Sequence, residues 1–372
     1  MPFFISILVL FCCMTSASHA GEVDPFLAAG TQIRDCSSEI NRHLNASIIE
    51  ILADHPIPSS TSCEAAALHI MEQLGAQKYL FVNVGALNCE LELWVEENEQ
   101  IDKVPSDNRN GTNDLDTIYA PKLTFFGLWP TTVDPTINVS GINLGTEKLS
   151  HFLGSGYEYY KRYLGAIDTL PRRQAELNII DWGIAMENTV IGVWAVGVFS
   201  YADLEANYQG YTMARDLCAK GKLKIHDDRW QLVQQVNIGD YVNPNWDEGY
   251  NTSGYTANRD KKVRGNLEQS QQCQSICWEC VADQHQHYAS WPKTRQDSSG
   301  FLDSSLSSSI LALSRMDAGV NQEQLYTRVQ QQYALPLLYR QWQARDRQAC
   351  STLPTLPLHD YCQTIITVPR SK

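Results

Sequence analysis

The sequence predicts a mainly α-helical fold, in which a disulfide-stabilised helical core carries long irregular aromatic loops and has room for a minor β-hairpin. Apolar residues recur at helical spacing over 36–53, 62–74 and much of 146–220, and this pattern is typical of amphipathic helices. Between 222 and 300, Asn, Pro and Gly interrupt the regular runs. Because 43% of the 372 residues are hydrophobic, the chain can bury a core of its own.

The N-terminal part is predicted to begin with two helices. The first covers 36–53, and Ser62 is a suitable N-cap for the second. The period of residues 79–96 fits a strand as well as a helix. Loops are expected over 102–114 and 120–145, and the second of these is where a hairpin would lie.

The stretch 146–220 forms the predicted helical centre. Thr146 is expected to cap its first helix. Pro171 suits the first turn of the second helix. Ser200 followed by Asp203 resembles a capping box, which indicates the start of the third helix.

The C-terminal part is predicted to contain three segments. These are an ordered loop layer over 222–300, a Ser-rich connection over 298–309 and a last helix over 321–347. Together with the helical centre they are expected to form one domain that covers 21–372.

The first twenty residues have the pattern of a secretory signal peptide. Phe3–Cys13 is an almost unbroken apolar run, and the small residues Ser18 and Ala20 stand at the −3 and −1 positions before Gly21. The run is too short to be a good membrane span. We therefore expect cleavage near Ala20 and a secreted or periplasmic protein of bacterial type, with an uncleaved anchor as the alternative.

The charge balance is acidic, since 42 Asp and Glu face 29 Lys and Arg for a formal net charge of −13. A nucleic-acid partner needs a basic face, so this balance argues against one, and it also argues against docking on an anionic membrane surface. The most apolar later stretch, 188–202, is shorter than a usual transmembrane helix. No stable membrane span is therefore expected.

Cleavage near Ala20 would leave nine of the eleven cysteines. In an oxidising compartment most of them should pair, although an odd number leaves at least one that is free, pairs between chains or binds something else. Only Cys218 lies in the helical centre, so the disulfides are expected to fasten peripheral segments to it. The predicted disulfide cysteines are Cys36, Cys63, Cys89, Cys218, Cys273, Cys277, Cys280, Cys350 and Cys362.

Three of these cysteines lie close to two histidines, in the order Cys273, Cys277, Cys280, His285 and His287. Thiolates and imidazoles at this density suit a tetrahedral zinc ion. The alternative is disulfides with surface histidines, which secretion favours because an oxidised cysteine cannot bind a metal. Either bonding scheme would hold this segment in place.

Four polar residues of the helical centre form the candidate catalytic group, namely His151, Glu187, Asp203 and Asn207. Asp203 and Asn207 share a helix face with Gly210, which would let another helix or a ligand approach closely. A histidine with carboxylates can bind a divalent metal or transfer protons. The alternatives are a buried polar network that locks the helices together, or a plain solvated face.

Two motifs of the centre resemble the polar pattern of VanZ-like bacterial proteins. They are K-x-x-H-F at 148–152 and S-x-x-D-L-x-A-N-x-x-G at 200–210, and the resemblance covers 146–212. In that family the helices lie in the membrane with polar side chains facing one another, whereas the helices of this chain are too polar for a bilayer. The resemblance implies a bacterial origin and a shared polar site rather than a reaction. The matching positions are His151, Glu187, Asp203 and Asn207.

The segment 241–255 is the candidate substrate-binding loop. Its aromatic residues alternate with Asn, Asp and Ser, and such a surface suits a carbohydrate or cell-envelope ligand because rings stack on sugars while amides bind hydroxyls. The alternative is a packed loop whose rings fill the core. The residues expected to bind are Tyr241, Trp246, Asp247, Tyr250 and Asn251.

These observations predict a hydrolase that acts on an envelope or extracellular substrate. The motifs G-x-S-x-G, H-E-x-x-H, G-x-G-x-x-G and the P-loop do not occur, which removes the commonest hydrolase, zinc-protease and nucleotide-binding classes. The alternative is a non-enzymatic binding or virulence-type protein whose polar centre is structural. The two hypotheses differ in whether the four polar side chains of the centre converge on an open pocket or are fully buried.

Overall fold

Helices make up most of the computed structural model, which confirms the predicted mainly α-helical class. The strands among the described residues form only two-stranded pairs. The structure describes residues 21–75, 89–105, 117–119, 123–125, 129–131, 133–187, 192, 196–251, 253–269 and 276–289. The predicted Ser-rich connection 298–309 and last helix 321–347 lie outside these residues.

One short strand and three helices form the described N-terminal part. Strand β1 covers Glu22–Val23, and helices α1, α2 and α3 cover Ser37–Asp54, Cys63–Gly75 and Glu90–Glu97. The first two helices confirm the predictions, and the side chain of Ser62 accepts the backbone N–H of Ala65 at 3.2 Å, as an N-cap does. The stretch 79–96 is predicted as either strand or helix, and its last residues are helical because they belong to α3.

The short strands that follow lie between α3 and the helical centre. They are β2 (Leu123–Phe125), β3 (Trp129–Thr131), β4 (Val133–Asp134), β5 (Thr136–Val139) and β6 (Ile142–Gly145). β2 pairs antiparallel with β3, β4 runs parallel to β1, and β5 and β6 form a hairpin. Its turn residues Ser140 and Gly141 both have positive φ, as a tight hairpin turn requires. The hairpin expected within 120–145 is therefore present.

The helical centre contains the predicted helices, with one irregularity. Helix α4 (Glu147–Ser150) continues through a π-type turn (His151–Ser155) into α5 (Gly156–Ile167), and α6 (Arg172–Glu187), β7 (Val198–Phe199) and α7 (Tyr201–Ala219) follow. The Ser200 side chain caps α7 as predicted, because its Oγ accepts the backbone N–H of Asp203 at 3.1 Å. The predicted cap at Thr146 is wrong. Its backbone is already helical, and its hydroxyl donates to Glu96 Oε1 at 2.9 Å instead.

Two glycines bring the first and third central helices into backbone contact. A Cβ atom at Gly210 would lie 1.7 Å from the carbonyl oxygen of Phe152, and one at Gly156 would lie 2.8 Å from the Cα of Gly210. Only hydrogen atoms fit between these backbones. The close approach predicted for the face of Gly210 is thus made by a helix, and it sets the π-type turn directly against α7.

The region 222–300 contains more regular structure than the sequence predicts. Its elements are β8 (Leu223–His226), β9 (Arg229–Leu232), the 3-10 turns Ile238–Asp240 and Pro244–Trp246, β10 (Gly254–Tyr255), α8 (Ala257–Gln269) and α9 (Trp278–Ala289). β8 and β9 form a hairpin, and β10 pairs with β7. The predicted loop layer is wrong over both helices. Of the described side chains of α8 only Arg259 and Val263 are buried, so its sequence lacks the apolar stripe by which helices are predicted.

Most of the buried apolar side chains belong to one cluster, to which α1, α2, α5, α6, α7 and the π-type turn all contribute. A second, smaller cluster packs Phe26, Tyr119 and Val133 against Tyr255 and Val263. Among the described residues, every helix is too short or too polar to cross a bilayer.

Two disulfides join described cysteines. Cys63–Cys218 connects the start of α2 to the end of α7 across 155 residues of sequence, and it fastens the N-terminal part to the helical centre as predicted. Cys277–Cys280 spans three residues at the start of α9.

The prediction that Cys36 and Cys89 form disulfides is wrong, because both are buried free thiols. Each sulfur hydrogen-bonds to the backbone instead: Cys36 Sγ donates to the carbonyl of Asn138 at 3.1 Å, and Cys89 Sγ accepts the N–H of Glu92 at 3.4 Å. Burial raises the pKa of both thiols to about 12, so neither is a ready thiolate. Cys273, Cys350 and Cys362 lie outside the described residues.

Replacing Gly210 with alanine should lower the free energy of unfolding by about 2–4 kcal/mol, because the helices must separate to admit a methyl group. Gly165 is the matched control, since a Cβ there would meet nothing within 4 Å. Gly165→Ala should stabilise the protein by up to about 1 kcal/mol through helix propensity. Urea unfolding measures both effects, and a mild cost at Gly210 would mean that the helices are not in backbone contact.

Replacing both Cys63 and Cys218 with serine should cost about 3–5 kcal/mol, because the disulfide closes a 155-residue span of the unfolded chain. The same change at Cys277 and Cys280 should cost about 1–2 kcal/mol, since that loop is only three residues long. Guanidinium unfolding of the two double variants makes the comparison. Equal costs would contradict the account based on loop length.

Candidate functional site

The ammonium group of Lys148 lies at the centre of the candidate site and is fully buried. Its Nζ is 2.5 Å from Glu147 Oε1, 2.6 Å from Asp203 Oδ1 and 2.7 Å from Glu248 Oε1. Burial by itself lowers the pKa of Lys148, but the carboxylates of Asp203, Glu147 and Glu248 together raise it well above its usual range. The lysine therefore stays charged and holds three separate segments together.

His151 connects this ion cluster to solvent. Its Nε2 lies 3.0 Å from Asp203 Oδ2, and its Nδ1 lies 3.0 Å from the side-chain amide of Asn207. With the amide nitrogen turned toward the ring, Asn207 donates to Nδ1 and also reaches the backbone carbonyls of Asp203 and His151, at 3.0 and 3.2 Å. This arrangement suits a neutral imidazole that carries its proton on Nε2.

Asp203 and His151 adjust each other's protonation. Burial alone raises the pKa of Asp203, but His151 and Lys148 hold it well below its usual range, so this carboxylate stays ionised. Burial alone lowers the pKa of His151, but the Asp203 carboxylate raises it above its usual value of about 6.5. The imidazole therefore keeps its proton to a higher pH than an unperturbed histidine does.

Ser200 links the remaining members of the cluster. Its hydroxyl donates to Glu248 Oε1 at 2.8 Å while it caps α7, and its backbone N–H donates to Glu187 Oε1 at 2.9 Å. Burial, together with the nearby Asp203 charge, raises the pKa of Glu187 to about 8. Glu187 therefore carries a proton at neutral pH, in contrast to Asp203.

The four predicted catalytic residues thus lie together in the structure. His151, Asp203 and Asn207 are in direct contact, and Glu187 joins them through Ser200. The sequence indicated Glu248 only as an acidic residue of the loop 241–255. It did not indicate Glu147, Lys148 or Ser200 as members of the site, nor Glu22, whose charge interacts with those of Glu248, Asp203 and Lys148. Lys148 and Ser200 belong to the two motifs quoted above, so their spacing was a usable signal, whereas Glu22 and Glu248 come from distant parts of the chain.

The carboxylates of Glu147, Asp203 and Glu248 lie close enough to one another to bind a metal ion. The Lys148 ammonium occupies the space among them, since it contacts all three at 2.5–2.7 Å. A metal ion at this point would have to displace the lysine. The observed geometry therefore favours an ion cluster with Lys148 as its cation.

The predicted substrate-binding loop packs into the core. Tyr241 and Trp246 are 2% and 0% exposed, and their ring centres lie 5.8 and 5.4 Å from that of Phe152. Asn251 is also buried and donates to the carbonyl of Asn245 at 3.0 Å. The aromatic faces are thus covered by protein, as in the packed-loop alternative, and stacking of a sugar on them would require the loop to move.

The other two predicted binding residues face helix α9. Asp247 accepts hydrogen bonds from the hydroxyl of Tyr288 at 2.8 Å and from Gln284 at 3.0 Å, and burial raises its pKa to about 7. Tyr250 is half-buried and meets the ring of Tyr288 edge-on at 5.5 Å. This end of the loop is therefore fixed to α9.

A second group of carboxylates lies beside the ion cluster. Glu92 and Glu96 of α3 and Asp134 of β4 each offer an oxygen within 4.8 Å of the others. Ser150, the residue before His151, donates its hydroxyl to Glu92 and accepts the backbone N–H of Cys89 at 2.5 Å. Burial raises the pKa of Glu92 and of Asp134 well above the usual range.

The proposed zinc ligands are only partly described. Cys277 and Cys280 are joined by a disulfide, and a sulfur in that state cannot bind zinc. His287 is exposed and packs near the ring of Tyr288. Cys273 lies outside the described residues, and the side chain of His285 is not described.

Comparison with known proteins gave no match, whether to a protein family, to a curated protein or to a solved structure.

Replacing Lys148 with methionine should lower the free energy of unfolding at pH 7.5 by about 3–5 kcal/mol, because it leaves buried carboxylates without their cation. The cost should shrink toward pH 5, because Glu147, whose pKa burial raises to about 7, accepts a proton over this range. Lys161→Met is the control, since the side chain of Lys161 is 46% exposed and lies 3.7 Å from Glu158, so about 1 kcal/mol or less is expected. Denaturant unfolding at both pH values measures these costs, and a pH-independent loss at Lys148 would contradict the charge-balance explanation.

Proposed function

We propose that the protein is a secreted hydrolase that acts on an envelope or extracellular polymer, with His151 as its proton-transferring residue. The observation that carries the proposal is the position of His151 in the polar cluster. Its side chain is 14% exposed, against 6% for Asp203, 1% for Glu248 and 0% for Lys148. A water or substrate that enters this cluster would meet the imidazole first.

The chemistry follows from the two partners of the imidazole. Asp203 accepts a hydrogen bond from Nε2–H, which leaves the lone pair of the neutral ring on Nδ1. When a water molecule takes the place of the Asn207 amide, Nδ1 is positioned to accept its proton. The ionised Asp203 then stabilises the imidazolium that forms. Lys148 acts as a positioning residue, because it fixes the other oxygen of Asp203 at 2.6 Å.

Glu187 supplies the complementary acid. Its pKa of about 8 keeps it protonated at neutral pH. The charge of His151 lowers the pKa of Glu187, and the charge of Glu187 raises the pKa of His151. Two titrating groups whose environments favour opposite protonation states are a common basis for assigning acid and base. In this proposal Glu187 protonates the leaving group while His151 activates water.

Secretion is part of the same proposal. It is supported by the signal-peptide pattern that ends at Ala20 and by the long-range disulfide Cys63–Cys218, which suits an oxidising compartment. The VanZ-like resemblance of 146–212 supports a bacterial source. Carbohydrate or peptidoglycan is the substrate class that fits these properties.

A second candidate function is favoured by one specific observation. Both ring nitrogens of His151 already have partners within the protein, and such saturation is typical of a structural network. In that case the chain is a non-enzymatic binding or virulence-type protein, and its polar centre serves to hold the helices together.

A solubilisation assay separates the two functions. The purified protein should release soluble fragments from dye-labelled peptidoglycan sacculi or from a panel of labelled polysaccharides. His151→Ala should lower the rate at least about 100-fold while the free energy of unfolding changes by less than about 2 kcal/mol. His43→Ala is the control, since His43 pairs with the exposed Glu90 at 2.9 Å, away from the cluster. The structural candidate is supported if the wild-type protein releases no fragments. It is also supported if the variant loses activity only in proportion to its loss of folding stability.

The pH dependence of the same assay tests the assignment of roles. The rate should rise with pH as His151 loses its proton, above its usual pKa of about 6.5. It should fall again near pH 8, where Glu187 loses its proton. Glu187→Gln should remove the alkaline limb and lower the maximum, and an unchanged alkaline limb would exclude Glu187 as the acid.

A further inference from the structure

One oxygen of the second carboxylate group stands out. Asp134 is 1% exposed, and its Oδ2 has no hydrogen-bond donor among the described residues. Glu92, Glu147 and Glu96 are the charges that act most unfavourably on it. Lys148 lowers the pKa of Asp134 through its charge, but it is already in contact with three other carboxylates. Asp134 is therefore a buried carboxyl group that a further positive charge would stabilise.

The backbone of Gly21 lies against this oxygen. A Cβ atom at Gly21 would be 1.7 Å from Oδ2 and 2.1 Å from Cγ of Asp134, so no other residue fits this position without a shift. By standard bond lengths the α-nitrogen is about 2.5 Å from that Cβ position, which puts it at most about 4 Å from Oδ2. The parallel pairing of β1 with β4 holds the two residues together, with Val23 opposite Asp134.

Gly21 is also the residue that follows the expected cleavage site after Ala20. In the uncleaved chain its nitrogen belongs to a neutral amide. Hydrolysis by a signal peptidase breaks the C–N bond between Ala20 and Gly21, and the oxygen of water goes to the Ala20 carboxyl group. The released amine of Gly21 takes up a proton and becomes an ammonium, as is usual for an α-amino group below about pH 8.

We infer that Glu92, Glu96 and Asp134 form a cation site whose occupant is the α-ammonium group of Gly21, created when the leader is removed. The inference rests on the cleavage in the proposed function. The new ion pair neutralises Asp134 and, through Glu92 and Ser150, stabilises the helix that carries Lys148 and His151. Removal of the leader thereby completes the charge balance beside the candidate site.

Two recombinant forms of the mature chain test this site without depending on secretion or activity. One form begins at Gly21 and the other at Ala20, so the two have the same charge but the ammonium moves by one residue, about 3.8 Å. In the presence of chelator at pH 7, the form that begins at Gly21 should unfold at a temperature about 3–8 °C higher. The ion pair raises the pKa of the α-ammonium group in the folded state, so it stabilises the fold at neutral pH. The advantage should disappear above about pH 10, where this group is deprotonated in the folded and the unfolded state.

Asp134→Asn should abolish the difference between the two forms. Asp24→Asn is the matched control, since Asp24 is a buried carboxylate near the same strand that accepts the backbone N–H groups of Phe26 and Ile118 at 2.9 and 2.8 Å. It should destabilise both forms and preserve their difference. Equal unfolding temperatures of the two wild-type forms, or a difference that survives Asp134→Asn, would overturn the inference.

Metal addition and terminal sequencing complete the test. If Ca²⁺ or Mn²⁺ raises the unfolding temperature of both forms equally, and the forms do not otherwise differ, the occupant is a divalent ion and the inference is wrong. Sequencing the N-terminus of the secreted protein should give Gly21 as the first residue. A different first residue would overturn the role in maturation, whereas failure of the solubilisation assay alone would contradict the hydrolase and leave the paired ammonium supported.

Discussion

The structure depends on one buried interaction, the contact of the Lys148 ammonium with three carboxylates. Glu147 belongs to the same helix as Lys148, Asp203 lies in the first turn of α7, and Glu248 follows the turn Pro244–Trp246. Their oxygens lie 2.5–2.7 Å from Nζ. A buried charge is tolerated only when its partners are well placed. Segments up to 100 residues apart in sequence are therefore held in one arrangement, and Asp203, fixed by the lysine on one oxygen, orients His151 with the other.

This interaction needs the helix backbones to be unusually close. Gly210 lets the carbonyl of Phe152 approach α7, and the π-type turn His151–Ser155 lies at the same point. π-type turns are frequent at functional sites, where a local irregularity keeps a polar side chain in position. The glycine contact, the turn and the ion cluster are thus parts of one arrangement, and the Cys63–Cys218 disulfide fastens the far end of α7.

Local features of this fold were predictable from sequence, and distant partners were not. Helical spacing gave α1 and α2, and the Ser200 cap and the four-residue spacing of Asp203 and Asn207 gave the start and the polar face of α7. The contact of Glu248 with Lys148 and the effect of the Glu22 charge on it could not be predicted, because only the folded chain brings these residues together. Helix α8 was missed because it is almost wholly polar. Trp246 was expected at a surface, yet its ring fills the core, since an aromatic loop residue has the same sequence pattern in both settings.

The excess of buried carboxyl groups has a consequence for the folding reaction itself. Burial raises the pKa of Asp24 to about 6, of Glu147 and Asp247 to about 7 and of Glu187 to about 8, whereas in the unfolded chain such groups titrate near pH 4. Between about pH 5 and 7 the folded state therefore binds more protons than the unfolded chain, and folding takes protons up from the medium. Through these four groups, mild acidification favours the native state, whereas in many proteins it weakens the fold by neutralising ion pairs.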